Sequence, residues 1–325
     1  MKMKSSWMSA MLVACAFLVS TSCKDDDGVD AGKGKAQFEI TDAPSDDANI
    51  KGVFVTVTDV KVDGASVSGF SKQTIDLKAY QKGNTKVLGT TDLSAKTYST
   101  ITLVLDVDAN ESGDTPGCYV LTQDNVKYKL TSSNASSGKL EIPLNKSWEV
   151  KNEATTNVVL DFDLRKSLSY SDDANVRYHF ANNTNLQSAI RVVAKSNTGT
   201  VKGTYNEQIS SGADQVIVYA YKKGTFNAST ETQVQGEDNV TFKNAVSSAK
   251  VETALSGNTY TIAFLEAGEY ELHFAGYTKD NSTNRFVFKS LLQTDTMVNG
   301  SVSTSFNINA GADLSVTATV KGLIN

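Results

Sequence analysis

Alternation of apolar and polar residues at period two is the feature that most restricts what this 325-residue chain can fold into. In "I-T-L-V-L-D-V-D" Ile101, Leu103, Leu105 and Val107 share one parity, while Thr102, Asp106 and Asp108 take the other. In "N-V-V-L-D-F-D-L" Val158, Leu160, Phe162 and Leu164 point inward, with Asp161 and Asp163 outward. "Y-T-I-A-F-L" and "Y-E-L-H-F-A-G-Y" continue the scheme through Ile262, Phe264, Tyr270, Leu272 and Phe274. "S-F-N-I-N" and "L-S-V-T-A-T-V" alternate on either side of a turn expected at Ala310-Gly311. Successive side chains of a strand point to opposite faces, so this pattern buries one face of a sheet, whereas a helix would need a period of 3.6. No stretch beyond residue 35 shows an amphipathic helical pattern, and the expected class is all-β.

One strand breaks its own parity. "V-F-V-T-V-T-D-V-K-V" places Val53, Val55 and Val57 on one face, then Val60 and Val62 on the other. A strand cannot change faces without an extra residue, so a β-bulge is expected near Thr58-Asp59. The polar, glycine-bearing run Lys195 to Gly203 reads as a break between two strand-rich halves, and all three prolines (Pro44, Pro116, Pro143) precede it. Each half is long enough for one sandwich. The expected architecture is two antiparallel β-sandwiches of Greek-key type in tandem, over residues 36–196 and 197–325.

The N-terminus follows the physics of export. Lys2 and Lys4 give a positive start, and Met8 to Val19 is apolar and uncharged. That stretch is short of the roughly 20 residues that span a bilayer, so it reads as the core of a signal peptide over residues 1–22. Ser20, Thr21 and Ser22 then lead to Cys23, placed where bacterial lipoproteins carry an acylated cysteine. "L-V-A-C", ending at Cys15, fits the apolar position of that consensus better, but a cut there would strand Ala16 to Val19 on the mature end. Cys23 is therefore the expected lipid anchor. Residues 23–35 are glycine-rich, acidic and free of aromatics, the composition of a flexible tether. Lys24, Asp25, Asp26 and Asp27 resemble the lipoprotein export signal of Bacteroidetes-type bacteria, which implies display on the outer face of the outer membrane.

Charge excludes one class of partner. A formal net charge of −5 argues against nucleic acid, and only Arg165, Arg177, Arg191 and Arg285 are available as guanidinium forks, too few for an expected phosphate-binding cluster. With Cys23 acylated and Cys15 removed, Cys118 has no partner within the chain, and "P-G-C-Y-V-L" suggests a small apolar residue at a strand start.

Chemistry leaves few candidates. His179 and His273 lie far apart, and parity against Leu272 and Phe274 directs His273 to solvent. No nucleophile elbow, H-E-x-x-H pattern or phosphate-cradling glycine loop occurs. Calcium is the sharpest cofactor candidate. Asp106, Asp108 and Asn110 open like a D-x-D-x-N ligand loop, and Asp42, Asp46 and Asp47 form a second acidic cluster. Against the first, Glu111 stands where an EF-hand needs glycine and Gly117 where it needs glutamate. The alternative for both is an Asp-rich turn in which carboxylates cap backbone amides, so no cofactor is required. Tyr219 and Tyr221 share a strand face and, with Tyr277 and Trp148, could form a sugar platform or else pack in a core. The apolar opposite face, Val216, Val218 and Ala220, leaves both readings open.

"F-E-I-T-D-A-P-S-D-D", "V-F-V-T-V-T-D-V-K-V" and "L-D-F-D-L-R-K-S" resemble the opening, second and closing strands of a domain of unknown function common in Bacteroidetes surface lipoproteins, over roughly Ala36 to Val193. "G-T-V-K-G-T-Y", "V-I-V-Y-A-Y" and "F-L-E-A-G-E-Y-E-L-H-F" are similar to prealbumin-like, carboxypeptidase-regulatory-like modules, which implies an accessory, non-catalytic part. The expectation is a non-enzymatic surface module, anchored to the membrane through Cys23, that binds a glycan or protein partner. A fimbrial-like structural subunit is the alternative, although the first arginine, Arg165, lies far from where such subunits are cleaved. A hydrolase built on an unrecognised carboxylate pair ranks last.

Overall fold

Strand Ile50–Val62 organises the first half, because neighbours flank it on both sides. Phe54 and Val57 pair with Gln73–Asp76 on one side. On the other, Val57 pairs with Thr97–Asp106 and Phe54 with Tyr119–Thr122, so those two strands run in line along a single edge. The register against Thr97–Asp106 slips between Val57 and Asp59, which is the expected bulge. The slip lets Val53, Val55, Val57, Val60 and Val62 all reach the same core.

The computed structural model describes residues 32–43, 47–171, 176–236, 238, 240–255 and 257–324. Cys23, Lys24, Asp25, Asp26, Asp27 and Asp46 lie outside these described residues. Within the compact unit Gly32–Asn325 the protein is almost entirely β-sheet. A seven-stranded sheet around Ile50–Val62 faces a four-stranded sheet in the order Ile190–Ala194, Thr155–Asp163, Lys33–Ala43, Lys86–Ser94. Phe38, Ile40, Leu160 and Phe162 of the smaller sheet meet Val55, Leu103 and Ile142 of the larger in one core.

Two features depart from antiparallel sandwiches. Lys33–Ala43 runs parallel to Thr155–Asp163, and Thr198–Glu207 runs parallel to Asp313–Ile324. Parallel neighbours need a long crossover, and in each half the intervening strands supply it. The second half is also a single ten-stranded sheet rather than a sandwich. Ser247–Lys250 pairs with Gln215–Lys222 at one end of its strand order, and Glu252–Ala254 pairs with Gly257–Glu266 at the other. Only Val251 separates those two short strands, so one stretch of chain bridges both ends and the sheet nearly closes into a barrel. Closure protects edges that would otherwise recruit other strands. Inside it lie Val201, Tyr260, Ile262, Phe274 and Val316, and the Tyr260 ring sits where a side chain on Gly203 would be, 2.1 Å from an ideal Cβ. The expected turn at Ala310-Gly311 forms, with Gly311 at φ 73°.

Short helices appear where none was expected. Asn183–Ala189 is the longest at seven residues, capped by the Asn182 side chain, which accepts from the Asn185 amide. Among the described residues no helix is long and apolar enough to cross a membrane.

The chain passes from the first core, ending at Val192, to the second, starting at Val201, through the single turn Lys195–Asn197. Val159, Val193 and Phe264 form a small apolar contact across the seam. Around it lie all four arginines. Arg165 pairs with Asp163 at 2.7 Å and donates to the Thr241 carbonyl, with its Cζ 4.8 Å from the Tyr219 ring. Arg191 pairs with Asp161 and donates to the Phe264 carbonyl. Arg177 donates to the Thr283 carbonyl, and Arg285 reaches back over the Tyr170 ring. Lys166 adds a bond from Nζ to the Ala245 carbonyl at 2.8 Å. Asp161 and Asp163, expected to face solvent, are therefore buried, because the second half covers the outer face of their sheet.

Removing one member of a buried pair leaves the other charge without its partner, at a cost of about 3–5 kcal/mol. Because Lys166 Nζ also lies 3.3 Å from Asp163, Arg165→Ala is expected to lower stability in urea melts by an amount towards the lower end of that range. A loss below about 1 kcal/mol would show that Asp163 does not depend on it.

Candidate functional site

A two-stranded ribbon, Leu168–Tyr170 against Tyr178–Phe180, follows directly on the seam arginine turn Leu164–Ser167. It exists because Asp163 caps that turn, accepting from the Arg165 amide, and the Ser167 hydroxyl bonds back to the Asp163 carbonyl. The ribbon places Ser169 opposite His179 and Tyr170 opposite Tyr178. Phe180 donates its amide to the Thr131 carbonyl, which brings the hydroxyl-rich loop Thr131, Ser132, Ser133 alongside. The second half contributes Asp238 and Arg285. Together they enclose a cleft of about 630 Å³.

Its walls are mostly polar and braced. Ser169 Oγ and Asn185 Nδ2 both donate to the Asp238 carboxylate, tying the second half to the ribbon and to the short helix. Arg285 lies over Tyr170 with 3.7 Å from Cζ to the ring centre. Tyr170 meets Tyr178 edge-on at 5.4 Å, and Tyr178 donates its hydroxyl to Asp47 at 2.9 Å. Such an arrangement offers hydroxyl, amide and guanidinium donors beside aromatic surface. It suits recognition of a polar molecule.

Of the residues singled out from sequence, His179 and Arg285 line this cleft, while the candidate sugar platform and the candidate calcium ligands lie elsewhere. Tyr219 and Tyr221 are fully buried, not an exposed platform. Tyr219 stacks on Phe242 at 4.1 Å and its hydroxyl meets that of Tyr277 at 2.5 Å, while Tyr221 donates to Glu231. Trp148 does not join them; it packs against Phe38 and Tyr98 in the first core. His273, expected at the surface, stacks on Phe226 with ring centres 3.6 Å apart, and burial lowers its pKa despite Glu271 beside it.

The acidic loops resolve as amide-capping turns. Asp106 takes Lys72 at 2.8 Å and Lys139 at 2.5 Å on one oxygen and the amides of Asp108 and Ala109 on the other. Burial alone would raise its pKa, but those lysines and amides outweigh burial and hold it well below the carboxylate range. Asp108 pairs with Lys129, and Asn110 Oδ1 accepts from the Ser112 and Asp114 amides. Asp47 accepts from the Asn49 amide and from Tyr178. Among the described residues no group of three or more His, Cys, Asp or Glu is placed to hold a metal ion. Cys118 is a free, buried thiol, and burial pushes its pKa up to about 12.

Asp42 is different. It lines a void of about 30 Å³ at the seam, with room for about one water. Its Oδ1 and the facing Ser248 Oγ have no hydrogen-bond partner among the described residues.

Residues 33–181 match the family described as "Domain of unknown function (DUF4382)", a stretch short of half the chain. No curated protein matches. Among solved structures, the chain is similar to a leucine-rich repeat protein from Bacteroides thetaiotaomicron at 14% identity, covering 89% of this chain and 26% of that one, with TM-score 0.25. It is similar to the Bacillus anthracis TIE protein at 13% identity, covering 89% and 34%, with TM-score 0.19. It is also similar to the major pilin protein of Streptococcus pyogenes at 9% identity, covering 90% and 100%, with TM-score 0.19. The chain thus spans about a quarter of the first and a third of the second. Likeness at these scores says nothing of ligand or activity.

The cleft itself was not legible beforehand. Its signals were two polar runs, "T-S-S-N-A-S-S-G" and "N-S-T-N-R", which sequence alone assigns to ordinary loops.

Asp42 supplies a test with a definite sign. Burial raises its pKa well above the ordinary 3.8, Gln81 and Lys78 oppose this, and Asp161 and Asp163 reinforce it. A raised carboxyl stabilises the fold fully below pH 3.8 and loses that contribution as pH climbs through the raised value. Asp42→Asn is therefore expected to melt higher than the parent at pH 8, with the difference closing as pH falls towards 4. An unchanged or lowered melting point at pH 8 would mean that Asp42 is ionised and satisfied in the folded protein.

Proposed function

We propose that the protein is a lipid-anchored surface module that binds a glycan without catalysis, the ligand seated in the seam cleft. The cleft carries this reading: about 630 Å³, walled by Thr131, Ser132, Ser133, Asn182 and Arg285 with Tyr170 and Phe180 beside them. Small-molecule sites commonly fall between about 300 and 1,000 Å³. Hydroxyl and amide groups set beside aromatic surface match the polar edges and apolar faces of a sugar ring. Loops held on rigid sheets are a frequent place for recognition.

The address supports the same reading. Lys2, Lys4 and the apolar run to Val19 direct export, Cys23 takes the acyl chain, and Lys24 to Asp27 space the body from the lipid. Anionic head groups repel adjacent carboxylates, which keeps such a spacer in water.

Two measurements test the halves of the proposal separately. Cys23→Ala is expected to release the protein from the envelope into the soluble fraction, and firm retention would remove the lipid anchor. On a glycan array the body from Gly32 onward is expected to bind, and Ser133→Trp, which fills the cleft from an exposed position, to lose that binding at least ten-fold. Silence of the array, or binding indifferent to Ser133→Trp, would remove the cleft as the ligand site.

A further inference from the structure

We infer that the cleft takes a sugar bearing a carboxylate, of uronic or sialic type, gripped by the guanidinium of Arg285; this rests on the cleft being the ligand site. The four arginines divide unequally. Arg165, Arg177 and Arg191 each donate to a carbonyl of the second half, at Thr241, Thr283 and Phe264. Arg285 does not. Its Cζ is 3.7 Å above the Tyr170 ring, and among the described residues no hydrogen-bond acceptor takes its guanidinium N–H groups.

The guanidinium packs over the Tyr170 ring, and Arg285 lines the cleft. A planar fork held in this way matches a carboxylate with two parallel hydrogen bonds, and its preorganisation reduces the entropy lost on binding. Asp238 lines the same cleft, but Ser169 and Asn185 already meet its carboxylate, so it is braced within the wall. Thr131, Ser132 and Ser133 line the same cleft and supply hydroxyls for the rest of a polyhydroxylated ligand. An acidic peptide would offer them backbone and apolar groups instead. In a chain of net charge −5, one open guanidinium beside hydroxyl donors selects among sugars by their charge.

Calorimetry with matched ligands decides. The body from Gly32 onward is titrated with polygalacturonate and its carboxyl-reduced form, with sialyllactose and lactose, and with polyglutamate. The expected result is at least ten-fold tighter binding of a carboxylated sugar than of its neutral counterpart. Arg285→Ala should abolish that preference, while Arg285→Lys, which keeps the charge but not the fork, should restore only part of it. Equal affinity for the two members of each pair would overturn the inference. So would a preference that survives Arg285→Ala, or polyglutamate binding as tightly as the acidic sugars. Carboxyl reduction changes only the ligand, so this comparison stands even where the Arg285→Ala protein fails to fold. Neutral sugars bound alone, and blocked by Ser133→Trp, would remove this inference and leave the cleft as a ligand site. Silence of every sugar would remove both.

Discussion

Two buried aspartates on one strand set the terms for the rest of the molecule. Asp161 and Asp163 lie on the face of the four-stranded sheet that the second half covers, and a carboxylate there must be matched by cations or lose its charge. Arg191 and Arg165 supply the match. Burial still raises the pKa of Asp161 from its ordinary value, with Arg191 opposing, whereas at Asp163 burial is outweighed by Arg165 and Lys166 and the pKa falls. A guanidinium has five donors and a carboxylate takes at most two of them in a fork, so each arginine has N–H groups left over. Those remaining groups bond Phe264 and Thr241 of the other half. Neutralising the charge and joining the halves are therefore a single act of chemistry.

The parallel pairing gives this geometry its register. Thr41 lies opposite Asp161 and Ala43 opposite Asp163, so the T-D-A-P and L-D-F-D signatures meet side by side despite their separation in sequence. Asp42 joins the cluster from the opening strand without an arginine of its own, which is why burial governs it. The turn that carries Arg165 leads straight into the Ser169–Tyr170 ribbon, and that ribbon forms one wall of the cleft. Residues outside the cleft thereby fix the distance between its walls, which the two halves contribute. Preorganisation of this kind lowers the cost of binding.

Sequence patterning made the class, the strand faces of the first core and the bulge at Val57–Asp59 legible, because each follows from neighbours along one chain. It misjudged positions where a strand is covered on both faces. All but the last residue of Gln215–Lys222 are buried, so parity could not tell a platform at Tyr219 and Tyr221 from a second core. The same covering turned Asp161 and Asp163 inward. Barrel closure depends on one stretch, Ser247 to Ala254, pairing at two ends, and nothing in its polar sequence marks that double role. Four arginines are too few to suggest a phosphate-binding cluster, and their count does not reveal that folding gathers all four at the seam. Composition counts side chains but does not place them.

That gathering explains why the site sits where it does. A seam between two sheet systems contains surfaces that neither half completes alone, and each must be filled with apolar contact, bridged by polar groups or left open to solvent. Val159, Val193 and Phe264 fill one part, and Asp161 and Asp163 with their cations bridge another. Beside the ribbon, hydroxyls and amides line the opening without an apolar plug, so water or a polar ligand satisfies them at little cost. Arg285 stands at that boundary, packed over the Tyr170 ring. The forces that close the rest of the seam are the ones that leave this part open.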